Sequence, residues 1–336
     1  MVDLIRNEVA HEVLRYYPAM GAAPVLQRLG NRGGFSGVCL WQVHGAAASC
    51  LRAWPPNAIS VERLKWMHQL MATARAAGHC FVPVVSSNLH GTTWVEHRGR
   101  LWELATWMPG RADFHADPTQ QKMEAACTSL ALVHRAWASL VPATGPCTGI
   151  QRRLERIGEW SALARHAGAA GFADIDKRVR PWAERAQILL SRLAQQVPSA
   201  LLPLLQRSLP LQPCLCDVWH DHVLFTANEV TGLIDYGGVK IDHVAVDLAR
   251  LLGSMAEDNL ALVAAGLQAY MRVRPLSLEE QRLVGLLDRT GTIVGLANWL
   301  RWLCYERRAF EDYALVAQRM RRLIERMERW PANFLF

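Results

Sequence analysis

The feature that most constrains this chain is a pair of acidic residues flanking two short apolar runs between residues 216 and 240. Asp217 opens a polar loop that contains His222, and the apolar run Val223–Phe225 follows it. A polar turn and a second apolar run then lead to Asp235. Two short strands joined by a polar turn form a β-hairpin, which is predicted to hold the two carboxylates at one end. Phosphoryl transfer uses such a pair, one to orient the attacking hydroxyl and one to hold magnesium against the phosphates.

The order of these residues resembles the catalytic core of the aminoglycoside phosphotransferase and choline kinase superfamily, which shares the protein-kinase fold. Asp217 matches the catalytic Asp of the His-Gly-Asp segment, and Asp235 in Leu-Ile-Asp-Tyr-Gly matches the magnesium-binding Asp. The segment 241–250 resembles the family's Gly-Asp-Pro-x-x-Asp-Leu-Ala, in which Asp247 is expected to be a buried structural acid at the start of a helix. The resemblance implies ATP and magnesium as cofactors and a small-molecule hydroxyl as the acceptor.

Three positions of the segment around Asp217 depart from the family pattern. Leu215 and Cys216 stand where the family has His-Gly, and His222 stands where it has the metal-binding Asn. Neutral imidazole binds metals, although magnesium prefers oxygen ligands. The resemblance therefore predicts a metal position flanked by His222 and Asp235. A plain β-hairpin with acidic ends is the alternative, and it leaves the spacing of the acids unexplained.

A glycine-rich segment, Gly30-Asn31-Arg32-Gly33-Gly34, lies between two predicted strands. Backbone N–H groups without side chains can approach phosphate oxygens closely. Gly33 and Gly34 are therefore predicted to bind the phosphates of the nucleotide. An ordinary hairpin turn is the alternative for this segment.

In the family, the third strand of the small lobe carries a Lys that holds the nucleotide phosphates, and Arg52 occupies the matching place. Arginine is a permanent cation whose fork suits phosphate, although it is not equivalent to lysine. A surface-facing arginine is the alternative. Glu62 is the only acid between Ser60 and Ala77, so it is the predicted ion-pair partner of Arg52. Its early position in the predicted helix also suits a simple interaction with the helix dipole.

The segment Trp-Glu-Leu-Ala-Thr-Trp-Met-Pro-Gly, which ends at residue 110, resembles the family's link between lobes. Backbone groups around Glu103 and Ala105 are predicted to hydrogen-bond the adenine edge. Trp107 is either a wall of that pocket or part of the core.

The chain begins with short β-prone runs, breaks at Met108–Gly110 and continues in mostly helical patterns. This order predicts an α+β, bilobal protein-kinase-like fold with a small antiparallel-sheet N-lobe and a mostly helical C-lobe. The predicted domains are a nucleotide-binding lobe, residues 1–107, and a helical lobe with the catalytic hairpin, residues 108–336. Helical patterns predict C-terminal helices over Val244–Val273, Ser277–Arg308 and Phe310–Arg329, with some of these ranges split into more than one helix.

Composition indicates a globular protein, because 51% of the 336 residues are hydrophobic and 20% are charged. No apolar run approaches the length of a membrane span, and the N-terminus lacks the pattern of a secretory signal. The eight cysteines are scattered, which favours free thiols in a reducing compartment and a cytoplasmic location. No basic-aromatic or zinc-finger pattern indicates nucleic-acid binding.

The net charge of +7 either reflects solvated helix faces or attracts an anionic partner. Residues 150–210, expected beside the acceptor, contain ten Arg or Lys and five Asp or Glu, a net of +5. In the resembled family, acceptor surfaces for polycationic drugs tend to be acidic. The balance here therefore favours a neutral or anionic metabolite.

Two other functions compete with a small-molecule kinase. Cys214, Cys216, His220 and His222 form C-x-C-x-x-x-H-x-H, and thiolate and imidazole are zinc ligands, but the spacing is tighter than in common zinc sites. A kinase-like protein that binds without catalysis is the second alternative, since Arg52 and His222 replace expected residues. Retention of the acids in the pattern favours activity.

Overall fold

The structure is a computed structural model that describes residues 5–20, 24–30, 37–166, 172 and 174–331. The chain forms two compact units. The first comprises Met1–Trp137 and His220–Gly238, and the second comprises Ala138–Trp219 and Val239–Phe336.

Helices make up most of the second unit and flank the sheet of the first. In chain order they are α1 (Asn7–Leu14), α2 (Val61–Ala76), α3 (Gln120–Trp137), α4 (Thr148–His166), α5 (Arg180–Leu193), α6 (Gln196–Leu201), α7 (Ala245–Met255), α8 (Leu260–Val273), α9 (Leu278–Leu300) and α10 (Tyr313–Glu328).

The strands are short. In chain order they are β1 (Val25–Gly30), β2 (Cys39–His44), β3 (Ser49–Ala53), β4 (Val95–His97), β5 (Arg100–Thr106), β6 (Ala143–Gly145), β7 (Leu209–Cys214), β8 (Val223–Thr226), β9 (Glu229–Leu233) and β10 (Lys240–Asp242).

The first unit is built on an antiparallel sheet with strand order β1-β2-β3-β5-β4. Alternate residues of β3 are buried, because successive side chains of a strand point to opposite faces. Leu51 packs into the core with Trp41 and Trp102, whose rings stack at 5.5 Å. Arg52 therefore lies on the other face of the sheet.

The helices α2 and α3 and the β8–β9 hairpin also belong to the first unit. The Ser60 hydroxyl caps α2 by accepting a hydrogen bond from the Arg63 backbone N–H. The indole N–H of Trp137 in α3 donates to the Leu70 carbonyl of α2 at 2.8 Å, which joins the two helices. Strands β8 and β9 pair as an antiparallel hairpin, as the sequence predicts.

The second unit is organised around α9, which contacts α4, α5, α7 and α10. A small sheet with strand order β10-β7-β6 lies in the same unit. Asp242 at the end of β10 is fully buried and accepts hydrogen bonds from the Thr148 hydroxyl, the Gly149 N–H and the Arg152 guanidinium. These bonds attach the start of α4 to the sheet.

The predicted fold class is confirmed, since an antiparallel-sheet N-terminal region is followed by a mostly helical part. The predicted helical range Val244–Val273 is one of those that split, into α7 and α8. It breaks where Glu257 adopts a φ of +51° and the Asn259 side chain caps α8. The predicted lobe boundary at residue 107 stays a prediction.

Among the described residues, no helix combines the length and the apolar character that crossing a membrane requires.

Candidate active site

Arg52 lies at the centre of a chain of ion pairs in the first unit. Its Nε is 3.3 Å from Glu103 Oε1, and its Nη1 is 3.5 Å from Asp235 Oδ1. Glu103 is directly opposite Arg52 in the register of β3 and β5. The sheet itself therefore fixes the first of these pairs, because cross-strand neighbours lie side by side on one face.

The predicted pairing of Arg52 with Glu62 is wrong. Glu62 is exposed in the first turn of α2, where hydrogen bonds from its own backbone N–H and from Ser60 lower the pKa of its carboxyl group. Glu103 occupies the position beside Arg52 instead. The cross-strand register, which only the folded sheet specifies, decided between the two acids.

His68 is a residue of this network that sequence reasoning missed. It lies on the buried face of α2, with Nε2 2.6 Å from Glu103 Oε2 and Nδ1 2.7 Å from the Thr93 hydroxyl. Since a carboxylate only accepts hydrogen bonds, Nε2 carries the proton. A histidine at helical spacing among the apolar residues of α2 was the available signal.

Asp235 and His222 meet at one end of the β8–β9 hairpin. His222 ends a short turn just before β8, and its carbonyl accepts a hydrogen bond from the Ile234 N–H at 2.9 Å. This bond brings His222 Nε2 to 3.6 Å from Asp235 Oδ2. Asp235 has a φ of +64°, a backbone conformation that non-glycine residues adopt rarely and often at functional sites.

The charges around Asp235 hold it in the ionised form. Burial acts to raise the pKa of this carboxyl group, but Arg52, His222 and the Gly237 N–H lower it below its ordinary value. Burial likewise acts to lower the pKa of Arg52, while Asp235 and Glu103 raise it. The result is a carboxylate and a guanidinium that both stay charged near neutral pH.

The Asp235–His222 pair fits a divalent cation. One carboxylate oxygen, Oδ2, faces the imidazole, and the other, Oδ1, faces Arg52. A carboxylate oxygen and an imidazole nitrogen are both common metal ligands, and the nitrogen suits transition metals better than magnesium.

The remaining predicted nucleotide contacts have different outcomes. Gly33 and Gly34 lie outside the described residues. Glu103 and Ala105 are opposite Arg52 and Cys50 in the β3–β5 ladder, so their backbone groups belong to the sheet. Their role at an adenine edge stays a prediction.

Asp217 belongs to the second unit, where a buried carboxylate fixes its loop. Asp247, fully buried in the first turn of α7, accepts hydrogen bonds from the backbone N–H groups of Leu215 and Cys216, each at 2.6 Å. The prediction that Asp247 is a buried structural acid at the start of a helix is confirmed. The expected proximity of Asp217 to Asp235 stays a prediction.

The backbone at Cys216 adopts a conformation that suits the glycine of the family pattern. It has a φ of +61°, in the left-handed region that glycine adopts without steric penalty. The family has glycine at this position, and this chain places a cysteine there in the same conformation that a glycine would favour. The two bonds to Asp247 hold the loop in this geometry.

The two cysteines of the alternative zinc pattern lie in surroundings that favour the protonated thiol. Cys214 is fully buried, and its thiol donates to the Asp242 carbonyl at 3.3 Å. Burial and the nearby carboxylate of Asp247 raise the pKa of both the Cys214 and the Cys216 thiols well above the ordinary value. Zinc binds the thiolate form, so a zinc ion bound here would have to displace the thiol protons.

Comparison with known proteins identifies the chain's relatives. The homoserine kinase of Methylocella silvestris is 34% identical over 132 residues, which cover 37% of this chain and 41% of that protein. The chain thus matches less than half the length of this curated relative.

Solved structures with the same fold cover nearly the whole chain. A spectinomycin phosphotransferase in complex with ADP and spectinomycin has a TM-score of 0.70 at 10% identity, covering 97% of this chain and 98% of its own. An amicoumacin kinase in complex with AMP-PNP and Ca²⁺ has a TM-score of 0.62 at 12% identity, covering 98% of this chain and 97% of its own. At these identities the likeness is one of fold.

A family model described as "Phosphotransferase enzyme family" matches residues 31–278. Because this match spans more than half of the 336 residues, the chain belongs to the phosphotransferase enzyme family.

Proposed function

We propose that this protein transfers the γ-phosphoryl group of ATP to a hydroxyl group of a small molecule. The observation that carries the proposal is the convergence of Arg52, Asp235 and His222, in which a guanidinium and an imidazole flank one carboxylate at 3.5 and 3.6 Å. A cation for phosphate and a metal-binding carboxylate are the parts that phosphoryl transfer requires.

The proposed roles follow from the chemistry of each group. Arg52 holds the nucleotide phosphates, and Glu103 keeps its guanidinium in place. Asp217 orients the acceptor hydroxyl and accepts its proton as the oxygen attacks the γ-phosphorus and the bond to ADP breaks. Asp235 and His222 hold the divalent cation, which neutralises phosphate charge when bound. Positioning and charge provide most of the catalysis in this reaction class.

Homoserine is the first acceptor to test. Curated relatives are homoserine kinases, and homoserine carries a primary hydroxyl. We also propose a cytoplasmic location, which is supported by eight free cysteines, since reducing compartments keep thiols reduced.

The experiment is ATP binding by calorimetry, with and without magnesium, followed by turnover with hydroxyl compounds. Asp235→Asn should weaken metal-dependent nucleotide binding. Asp217→Asn should lower kcat on the order of a hundred-fold, the usual scale for a general base, with nucleotide affinity little changed. Asp174→Asn, an exposed acid in the second unit, is the control and should match the wild type.

Two results would contradict the proposal. Absence of ATP binding by the wild type excludes a kinase. Metal-dependent binding without turnover of any acceptor would instead favour the catalytically impaired, ligand-binding alternative, in which Arg52 and His222 serve binding alone.

A further inference from the structure

A tryptophan lies against the guanidinium of Arg52, and the proposed function gives it no role. Trp54 comes directly after β3, two positions beyond Arg52, and side chains two positions apart along an extended chain lie on one face. The guanidinium carbon of Arg52 is 5.3 Å from the centre of the Trp54 ring. This distance lies within the range of a cation–π contact.

The backbone of Trp54 is fixed by the neighbouring strand β5. The Trp54 N–H donates to the Leu101 carbonyl at 2.9 Å, and the Trp54 carbonyl accepts a hydrogen bond from Arg100 Nη1 at 3.2 Å. The side chain is buried, and its indole N–H makes no hydrogen bond to any of the described residues. An unpaired buried donor is unfavourable, so the contacts of the ring account for a tryptophan at this position.

The same ring packs against the turn that carries Asp235. A Cβ atom at Gly237 would lie 2.9 Å from Cη2 of Trp54, so the indole contacts bare backbone there. The Gly237 N–H donates to Asp235 Oδ1 at 3.4 Å, and this oxygen also faces Nη1 of Arg52. One ring therefore contacts both the cation and the turn of its carboxylate partner.

Three groups limit the orientation of the Arg52 guanidinium. Glu103 Oε1 is 3.3 Å from Nε, Asp235 Oδ1 is 3.5 Å from Nη1, and the Trp54 ring lies against the group. Within the described ranges of the chain, Nη2 makes no hydrogen bond, so the held guanidinium presents Nη2 to a phosphate oxygen. The ammonium of a lysine is a compact, strongly hydrated point charge that lacks a plane to stack and a fork of separate donors.

We propose that Trp54 is a positioning residue for Arg52 and that it makes this position specific for arginine over lysine. The inference rests on the proposed function, because it takes Arg52 as the group that binds the nucleotide phosphates. Without the ring, the guanidinium keeps its charge and its two carboxylate neighbours but loses the surface that holds its plane. Positive charge alone is then insufficient at position 52, which accounts for an arginine where the resembled family has a lysine.

The test is calorimetry of ADP and of adenosine, in the presence of magnesium, on variants of the full chain. Trp54→Leu should weaken ADP binding on the order of ten-fold, the scale of a desolvated cation–π contact. Its binding of adenosine, which has no phosphate, should change little. Arg52→Lys keeps the charge and should weaken ADP binding to a similar extent. Trp54→Phe keeps an aromatic face and should stay within about three-fold of wild type.

A double variant tests whether the two residues act together. Arg52→Lys combined with Trp54→Leu should lose little more ADP affinity than either single variant, because residues that act through one contact are not additive. Trp66→Leu is the matched control, since the Arg63 guanidinium lies 5.0 Å from the Trp66 ring on α2. This variant removes the same kind of contact and should bind ADP as wild type does.

Three results would overturn the inference. The first is wild-type affinity for ADP in Trp54→Leu or in Arg52→Lys. The second is an equal loss of ADP and adenosine binding in Trp54→Leu, which would indicate a general structural role. The third is a fully additive loss in the double variant. If Trp54→Leu does not fold, a loss in Arg52→Lys together with retained affinity in Trp54→Phe supports the inference, and wild-type affinity in Arg52→Lys overturns it.

Failure of this inference is distinguishable from failure of the proposed function. A wild type that binds ADP and phosphorylates an acceptor, with Trp54→Leu and Arg52→Lys equal to it, keeps the kinase function and loses the role of Trp54. A wild type that binds no nucleotide loses both.

Discussion

At the scale of single residues, two backbone conformations mark the loops that carry the proposed catalytic acids. Cys216 and Asp235 have φ values of +61° and +64°. A left-handed conformation costs an L-residue about 1–2 kcal/mol, and such costs persist where the surroundings hold the chain in place. Asp247 supplies those contacts at Cys216, and the His222 carbonyl supplies one beside Asp235.

His222 is the residue whose replacement should change the choice of metal. Its imidazole nitrogen favours transition-metal cations over magnesium. His222→Asn supplies an oxygen ligand and should raise the preference for magnesium over cobalt on the order of ten-fold, the scale at which neighbouring groups tune metal affinity. The measurement is calorimetry of ADP with each metal ion.

His44→Asn is the control for this change, because His44 is an exposed histidine at the end of β2. An unchanged metal preference in His222→Asn would show that His222 does not contact the metal.

At the scale of elements, Arg52 is held by its own sheet. In the resembled family its partner comes from the following helix, whereas here Glu103 is the cross-strand neighbour of Arg52. The helix α2 contributes His68, which contacts Glu103 rather than the cation. The Arg52–Glu103 ion pair therefore forms when the sheet forms, and α2 contributes the contact between His68 and Glu103.

This arrangement predicts the effect of Glu103→Gln. Glu103 is 6% exposed, so losing its charge leaves Arg52 with Asp235 as the remaining member of the network. We expect a loss of roughly 1.5–3 kcal/mol in the free energy of unfolding, the scale of a hydrogen bond to a charged group. Urea unfolding measures this loss, and ATP binding should weaken in the same variant.

Glu96→Gln is the matched control, because Glu96 is an exposed acid on the neighbouring strand β4. Equal stability of Glu103→Gln and Glu96→Gln would contradict the anchoring role of Glu103.

At the scale of the whole molecule, the compact units do not follow the order of the sequence. The hairpin residues His220–Gly238 belong to the same unit as the N-terminal sheet, while Asp217 belongs to the helical unit. The proposed metal ligands and the proposed base therefore depend on different cores. Substitutions in the core of the first unit should mainly affect metal-dependent nucleotide binding. Substitutions in the core of the helical unit should mainly affect turnover.

Asp247→Asn tests the dependence of Asp217 on the helical core. The asparagine amide has one acceptor and one donor group, so one of the N–H groups of Leu215 and Cys216 loses its partner. An unpaired buried donor costs about 1–3 kcal/mol. We expect that loss in urea unfolding together with a fall in kcat, while metal-dependent ATP binding changes little. Asp174→Asn serves again as the control, and a matching loss of ATP binding in Asp247→Asn would contradict the separation.

The spacing of residues along the sequence was sufficient to predict the hairpin, the family and the role of Asp247. Alternation of apolar residues predicted the hairpin, and the order of Asp217, Asp235 and Asp247 predicted the family, because short-range spacing specifies which groups a turn or helix presents. The buried role of Asp247 followed from the same motif and is confirmed.

Only the tertiary structure decided which distant residues meet. Glu103 replaced Glu62 as the partner of Arg52 because strand register, which brings together residues far apart in sequence, is not encoded in the spacing of either acid. The same holds for Arg250 and Arg319, which reach Trp219 from two separate helices. Local spacing carries no information on such contacts, since they arise from how helices and strands pack against a common core.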